Sequence, residues 1–171
     1  MRHPIFRVLF LVFALPAGCG EPKGNEKLAV RSKAGVLTND VGIATFPTPD
    51  GWTPNRSSGN TAVILTRIGA NRQNLDEMIS IDIGQPASPD SEQSAKSLAA
   101  KFSGTVTPLS FPVDGETGYR VSIPPNYEKL MPRECIVVHR GGQVCFLFGG
   151  SKSRAEIWPT LSAIAQSWKW K

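Results

Sequence analysis

The sequence contains little of the material from which metal and catalytic sites are usually built. It has 2 histidines and 3 cysteines, and His3 and Cys19 fall within its first 19 residues. A zinc site of the usual histidine type therefore has too few ligands. A serine triad would have to use His139, and no Gly-x-Ser-x-Gly segment is present to carry its nucleophile. We expect no catalytic, metal or cofactor site, and no enzyme activity.

The sequence also lacks a strong excess of charge of one sign. There are 19 Lys and Arg residues against 14 Asp and Glu residues, a formal net charge of +5. Removal of a leader that contains Arg2 and Arg7 leaves 17 basic residues against 14 acidic ones, or +3. This weak excess, without a cluster of basic and aromatic residues, argues against a nucleic-acid partner.

Long apolar segments are absent beyond the amino-terminal region. There, the basic residues Arg2 and Arg7 precede 8 apolar residues at 8–15, which Pro16 follows. Such a segment matches the apolar part of a signal peptide and falls far short of the ~20 residues that a membrane-spanning helix needs. We predict a signal peptide at 1–18, and hence an exported protein.

The leader ends in a short group of small residues before a cysteine, Ala17-Gly18-Cys19. This ending resembles the Leu-Ala-Gly-Cys lipobox of bacterial lipoproteins, in which the cysteine at the cleavage site carries the lipid. Pro16 stands where the lipobox usually has Leu, and Leu15 lies one place early. The resemblance implies lipidation of Cys19. The alternative is an ordinary secretory signal cut near Ala17, with the cysteine there by coincidence.

A polar segment separates Cys19 from the rest of the chain. Residues 20–27 read Gly-Glu-Pro-Lys-Gly-Asn-Glu-Lys and show no apolar periodicity, which is typical of a flexible tether. We assign 19–35 to a lipid anchor and tether, and 36–171 to a single domain of a length that suits one core. The lipid on Cys19 would then anchor the protein to a membrane of the bacterial cell envelope.

The body of the chain contains short segments in which apolar and polar residues alternate, the pattern of strands with one buried face. Ile79 and Ile81, for example, alternate with Ser80 and Asp82. The predicted strands are 36–38, 41–46, 62–68, 78–83, 105–111, 119–123, 135–139 and 144–148.

Two segments have helical periodicity instead. Apolar residues at 95, 98, 99 and 102 follow the i, i+3, i+4, i+7 pattern, and Ser88-Pro89-Asp90-Ser91 before them offers N-caps. Apolar residues at 157, 161, 164, 165 and 168 line one face of a second helix. Pro159 limits this helix to a start near Trp158, because a proline inside a helix loses a hydrogen bond.

The late strands set the expected architecture. Segments 135–139 and 144–148 are apolar on both faces, and Gly141-Gly142 between them favours a two-residue hairpin turn. An antiparallel sheet that is apolar on both faces needs cover on both sides. We therefore predict an α+β fold, a three-layer α/β/α sandwich with a central antiparallel sheet and one helix on each face.

This architecture and one short motif resemble a known family. Pro49-Asp50-Gly51-Trp52 follows an apolar strand and is similar to the Pro-x-Gly-Trp opening of PsbP-like domains. A mid-chain helix, several strands, a Gly-Gly hairpin and a terminal helix follow in the same order over Val36 to Lys171. The resemblance implies a partner-binding module, since these domains act mostly as accessory proteins. No functional residue of the family can be carried over to this chain.

The two cysteines of the domain raise the choice between a disulfide and free thiols. With Gly141-Gly142 as a two-residue turn, Val138 faces Cys145, so Cys135 points to the other side of the sheet. A three-residue loop would bring the cysteines onto one side only along a diagonal of ~7–8 Å, beyond the reach of an unstrained disulfide. We predict two buried free thiols, with a bridge as the alternative.

Two further segments carry apolar residues whose role the sequence leaves open. The proline-rich connection 124–132 includes Tyr127, Leu130 and Met131, a candidate partner-binding loop because long loops are often functional. The alternative is a rigid surface loop with those side chains folded inward. The final Trp168-Lys169-Trp170-Lys171 fits either the end of a core helix or a membrane-interface segment.

These features favour a lipid-anchored binding or accessory module of the cell envelope, with a membrane contact through Cys19 and a protein partner. The anchor, the tether and the shortage of catalytic groups support it. The alternatives are a hydrolase with an unrecognised site near His139 and a carrier of a small apolar ligand.

Overall fold

The structure is a computed structural model that describes residues 29–31, 37–56, 61–68, 75–125, 133–151 and 156–171. These residues form a mixed α+β fold with two helices and eleven strands, which confirms the predicted class. The strands are β1 (Ala29–Arg31), β2 (Leu37–Asp40), β3 (Ala44–Pro47), β4 (Thr53–Arg56), β5 (Thr61–Ile68), β6 (Leu75–Gly84), β7 (Thr105–Pro108), β8 (Gly118–Ile123), β9 (Arg133–Arg140), β10 (Gln143–Ser151) and β11 (Lys169–Trp170). The helices are α1 (Ser91–Phe102) and α2 (Trp158–Ser167).

Within the described ranges, the strands form two antiparallel sheets. The large sheet has seven strands in the order β4-β5-β6-β10-β9-β8-β7, and the small one has four in the order β1-β2-β3-β11. The late hairpin β9-β10 lies near the middle of the large sheet, as its apolar faces predicted. Strands β1, β4 and β11 were not predicted from the sequence, and β7 ends at Pro108, three residues before the predicted limit.

The Gly141-Gly142 turn fixes the register of the central hairpin. Both glycines have positive φ angles, +58° and +76°, the backbone that a two-residue hairpin turn requires. Val138 therefore pairs with Cys145. Adjacent residues of a strand point to opposite faces, and Cys135 and Cys145 accordingly belong to different groups of buried residues.

Helix α1 begins where local capping chemistry predicts. The Asp90 side chain accepts a hydrogen bond of 2.8 Å from the backbone N–H of Gln93, which satisfies one of the free donors of the first turn. Ser103 ends the helix in the left-handed region, with φ +53°. The buried residues of α1 pack against the large sheet in what we call the α1 cluster, which consists of Ala95, Ala99, Val121, Cys135, Val137 and Val144.

Helix α2 packs on a second, larger group of buried residues. It starts at Trp158 with Pro159 in its first turn, as the sequence predicts. Trp168, directly after the helix, is fully buried and stacks on Phe46 with ring centroids 5.2 Å apart. We call this group the α2 cluster; it includes Phe46, Ile79, Ile81, Ile136, Val138, Cys145, Leu147, Leu161, Ile164 and Trp168.

The chain after α2 is fastened to the small sheet. Strand β11 pairs Lys169 with Thr45 in β3, and the backbone N–H of Trp170 donates to a carboxylate oxygen of Asp114 at 2.9 Å. The indole N–H of Trp170 donates to the Val113 carbonyl, also at 2.9 Å. These contacts support the interpretation of Trp168 and Trp170 as core and sheet residues.

Candidate functional site

The candidate site is a cleft on the large sheet beside α1. Helix α1 packs mainly on β8, with further contact to β7 and β9, and it covers less of β10 and β6 on the same face. The cleft that remains has a volume of about 330 Å³ and is lined in part by Asp82, Gln85, Leu98, Val144, Phe146 and Phe148.

Two aromatic rings form the floor of the cleft. Phe146 and Phe148 project from β10 on the same face, and their rings stack with centroids 5.9 Å apart and planes at 18°. Both are half-buried although they lie on a central strand. An apolar surface left open at the middle of a sheet is a feature of binding surfaces.

A single carboxylate lies beside these rings. Asp82 of β6 pairs directly with Phe146 of β10, which places their Cβ atoms about 4.5–5.5 Å apart. The Oδ1 atom of Asp82 is buried and has no hydrogen-bond donor among the described residues. A buried carboxylate oxygen without a donor loses its hydration without compensation, so this oxygen of Asp82 is energetically unsatisfied.

Elsewhere in the described chain, a single arginine often contacts both a carboxylate and an aromatic ring. The Arg120 guanidinium donates to both carboxylate oxygens of Glu134, at 2.8 and 2.9 Å, and lies 4.1 Å from the Trp158 ring centroid. Glu134 raises the pKa of Arg120 chiefly through these hydrogen bonds. The other groups of this kind are Arg67 with Glu77 and Trp52, and Arg140 with Glu116 and Trp170.

His139, the histidine considered for catalysis, links α1 to the large sheet. Its Nε2 atom lies 2.9 Å from the Ser94 hydroxyl, and its backbone N–H donates to the Ser91 hydroxyl at 2.9 Å. Both serines are 7% exposed. Burial lowers the pKa of His139, and the nearby charge of Asp90 partly opposes that effect. These contacts hold both serine hydroxyls between α1 and the sheet.

The two cysteines of the domain are free and buried, as the hairpin register predicts. Burial raises the pKa of Cys145 to about 12 and raises the pKa of Cys135 well above its ordinary value. Both thiols are therefore protonated and unreactive near neutral pH.

The structure does not test the predicted lipidation site or the predicted partner-binding loop. Cys19, Tyr127, Leu130 and Met131 all lie outside the described residues. Within the described ranges, no three His, Cys, Asp or Glu side chains are grouped to hold a metal ion. No helix in that part of the chain has the length and apolarity needed to cross a membrane.

The sequence did not indicate that Asp82, Leu98, Phe146 and Phe148 belong to one site. Asp82 was interpreted as part of the polar face of its strand, and Phe146 and Phe148 as core residues. The signal for the site was a strand with apolar residues on both faces, but the sequence does not show how far α1 extends across it.

Comparison with known proteins shows a similar fold but no sequence relative. No protein-family model matches the chain, and no curated protein matches its sequence. In structure the chain is similar to cyanobacterial PsbP (CyanoP) from Synechocystis sp. PCC 6803, whose solution structure aligns with a TM-score of 0.50 and 14% sequence identity. The alignment covers 89% of this chain and 100% of that one.

The local motif agrees with this similarity. The Trp52 N–H donates to the Pro49 carbonyl at 3.1 Å, across a turn in which Gly51 has a φ of +78°. Trp52 is thereby directed into the α2 cluster. The chain has a PsbP-like fold.

Proposed function

We propose that this protein is a lipid-anchored binding or accessory module of the bacterial cell envelope, which binds a protein partner through the cleft face of its large sheet. The observation that carries the proposal is the stacked, half-buried pair Phe146 and Phe148 on a central strand. Central strands normally have their apolar side chains covered, but this pair packs only along one side against the α1 cluster and remains half-buried. A partner surface would supply the missing cover.

The finer architecture that we propose is a three-layer α/β/α sandwich, with α1 and α2 on opposite faces of the large sheet. It is supported by the alternation of β9 residues, because Cys135 and Val137 belong to the α1 cluster and Ile136 and Val138 to the α2 cluster. In this arrangement the α1 layer is narrower than the sheet, which leaves the cleft face open.

The proposed anchor and cellular location of the protein depend on its amino-terminal residues. A lipid on Cys19 would attach the exported chain to a membrane of the cell envelope, and residues 20–35 would connect it to the domain. Such a tether raises the effective concentration of the module near a membrane-bound partner, so a modest binding surface would be sufficient.

The other functions considered have less support. A hydrolase centred on His139 lacks an accessible nucleophile, because Ser94 is enclosed against the imidazole. A carrier of a small apolar ligand would need an enclosed cavity. The cleft has only about 330 Å³, near the lower limit for ligand pockets, and its aromatic floor is partly exposed.

The experiment compares partner capture by two phenylalanine variants of the full chain, purified from its native membrane in detergent. Phe148→Gln changes the cleft floor, and Phe111→Gln makes the same change at a half-buried ring that packs against the α2 cluster. We expect Phe148→Gln to lose the protein captured by the wild type, and Phe111→Gln to retain it. Equal capture by Phe148→Gln, with unfolding in urea unchanged, would refute the cleft face as the binding surface.

A further inference from the structure

We infer that the cleft receives a single arginine side chain from the partner protein, with its guanidinium on Asp82 and its stem along Phe146 and Phe148. This inference rests on the proposed function, because it specifies the chemistry of the partner at the same face. The charge of the cleft, its aromatic floor and its size support the inference.

The negative charge of the cleft favours a cationic ligand. Asp82 is the only charged residue among the described residues that line the cleft, and no described residue forms an ion pair with it. A cationic side chain would satisfy this unpaired carboxylate, and the surrounding apolar side chains would shield the pair from water and strengthen it. An acidic side chain would repel the carboxylate, and a neutral donor would form a hydrogen bond without neutralising the charge.

The aromatic floor selects arginine over lysine. A guanidinium stacks flat on an aromatic ring while its edge donates to a carboxylate, whereas an ammonium is a compact and strongly hydrated charge. Arg120 makes this combination within the chain, with Glu134 at its edge and the Trp158 ring 4.1 Å from its central carbon. Asp82 and Phe146, paired across two strands, present the same two surfaces without an arginine.

The size and position of the cleft suit one long side chain. Its volume is about 330 Å³, room for one long side chain rather than a helix or a strand. Leu98 of α1 provides an apolar wall, and Gln85, directly after β6, adds a polar group. The aliphatic stem of an arginine would lie on the stacked rings of Phe146 and Phe148 and bury them.

The test titrates the full-length protein in detergent with short peptides and follows backbone amide signals by NMR. The peptides are acetyl-Gly-Arg-Gly-amide and the same peptide with citrulline, which has nearly the shape of arginine and no charge. We expect the arginine peptide to shift the signals of Asp82, Phe146 and Phe148 in a saturable way. The citrulline peptide should bind about tenfold more weakly or not at all, given the usual strength of a charged hydrogen bond. Equal binding of the two peptides would overturn the inference.

A matched pair of variants tests whether the arginine peptide binds at Asp82. Asp82→Asn removes the charge in the cleft with little change of shape, and Asp50→Asn makes the same change at an exposed turn. We expect Asp82→Asn to weaken binding of the arginine peptide about tenfold, and Asp50→Asn to leave it unchanged. Unfolding of each variant in urea shows that the fold is intact. Unaltered binding by a folded Asp82→Asn protein would also refute the inference.

The two proposals fail in different ways. If Phe148→Gln abolishes partner capture while Asp82→Asn leaves both capture and peptide binding intact, the cleft face is supported as the binding surface. The inference that it receives an arginine is then refuted. If Asp82→Asn weakens binding of the arginine peptide but Phe148→Gln still captures the partner, the cleft binds arginine, and the cleft face as the partner-binding surface is refuted.

Discussion

His139 fastens the amino-terminal turn of α1 to the central hairpin. Its backbone N–H and its Nε2 atom contact the hydroxyls of Ser91 and Ser94, so one residue of β9 orients two residues of the helix. Burial lowers the pKa of the imidazole, and the folded state therefore disfavours its protonation.

This pKa shift predicts how stability depends on pH. Because the pKa of His139 is lower in the folded state than its unfolded value of about 6.5, the unfolded chain binds more protons between the two values. The neutral histidine's contribution is complete above pH 6.5 and is lost as pH falls through the folded pKa. We expect His139→Gln to flatten this decline in urea-unfolding free energy, measured between pH 7.5 and 5. Identical pH profiles for variant and wild type would contradict this role.

The buried thiols make a second prediction at this scale. Since burial keeps Cys135 and Cys145 protonated, iodoacetamide should label neither in the folded protein. After unfolding in urea without a reductant, both should be labelled, as measured by mass spectrometry of the peptides that contain them. A peptide pair that stays unlabelled and is two daltons lighter would instead indicate a disulfide.

At the scale of elements, the parts predictable from the sequence are those defined by local chemistry. Helix α1 was predicted because Asp90 caps it within three residues, and the hairpin β9-β10 because Gly141-Gly142 determines its turn. Strand β4 pairs with the next strand, β5, but it was missed because it has four residues and includes Pro54, which weakens a strand pattern. Strand β11 was missed because it is short and forms only by pairing with the distant β3. The cleft was missed for a related reason: its existence depends on where α1 ends across the sheet, which is a matter of tertiary packing.

The contact between β10 and α2 depends on a glycine. A Cβ atom at Gly149 would lie 2.7 Å from Leu161 Cδ1 and 2.8 Å from Ile157 Cγ1, closer than carbon atoms pack. We expect Gly149→Ala to lower the free energy of unfolding by about 1–3 kcal/mol, the usual cost of overpacking a core, as measured by urea unfolding.

The control for this prediction is the same substitution at the end of β6. A Cβ atom at Gly84 would meet nothing within 4 Å, so Gly84→Ala should change the unfolding midpoint little. If both variants unfold at the wild-type midpoint, the close packing of α2 on β10 is not present in solution.

At the scale of the whole molecule, the proposed lipid on Cys19 makes a separate prediction. Cys19→Ala should abolish lipidation, and the protein should leave the detergent phase in a phase-partition assay and change its N-terminal mass. Cys145→Ala serves as the control, because this buried residue should not affect the anchor. Unchanged partitioning and mass in Cys19→Ala would exclude a lipid at this position.

The fastening of β11 to the small sheet has a consequence for how the protein is made. The ion pair between Lys171 and Asp40 spans 131 positions of the chain, and β11 pairs with β3 over a similar separation. During synthesis from the amino end, β3 cannot form this pairing until β11 has been made, and pairings of such long range form slowly. The export that we propose would therefore meet a chain whose small sheet is incomplete, and which can still be threaded through a translocation channel, until β11 has been made.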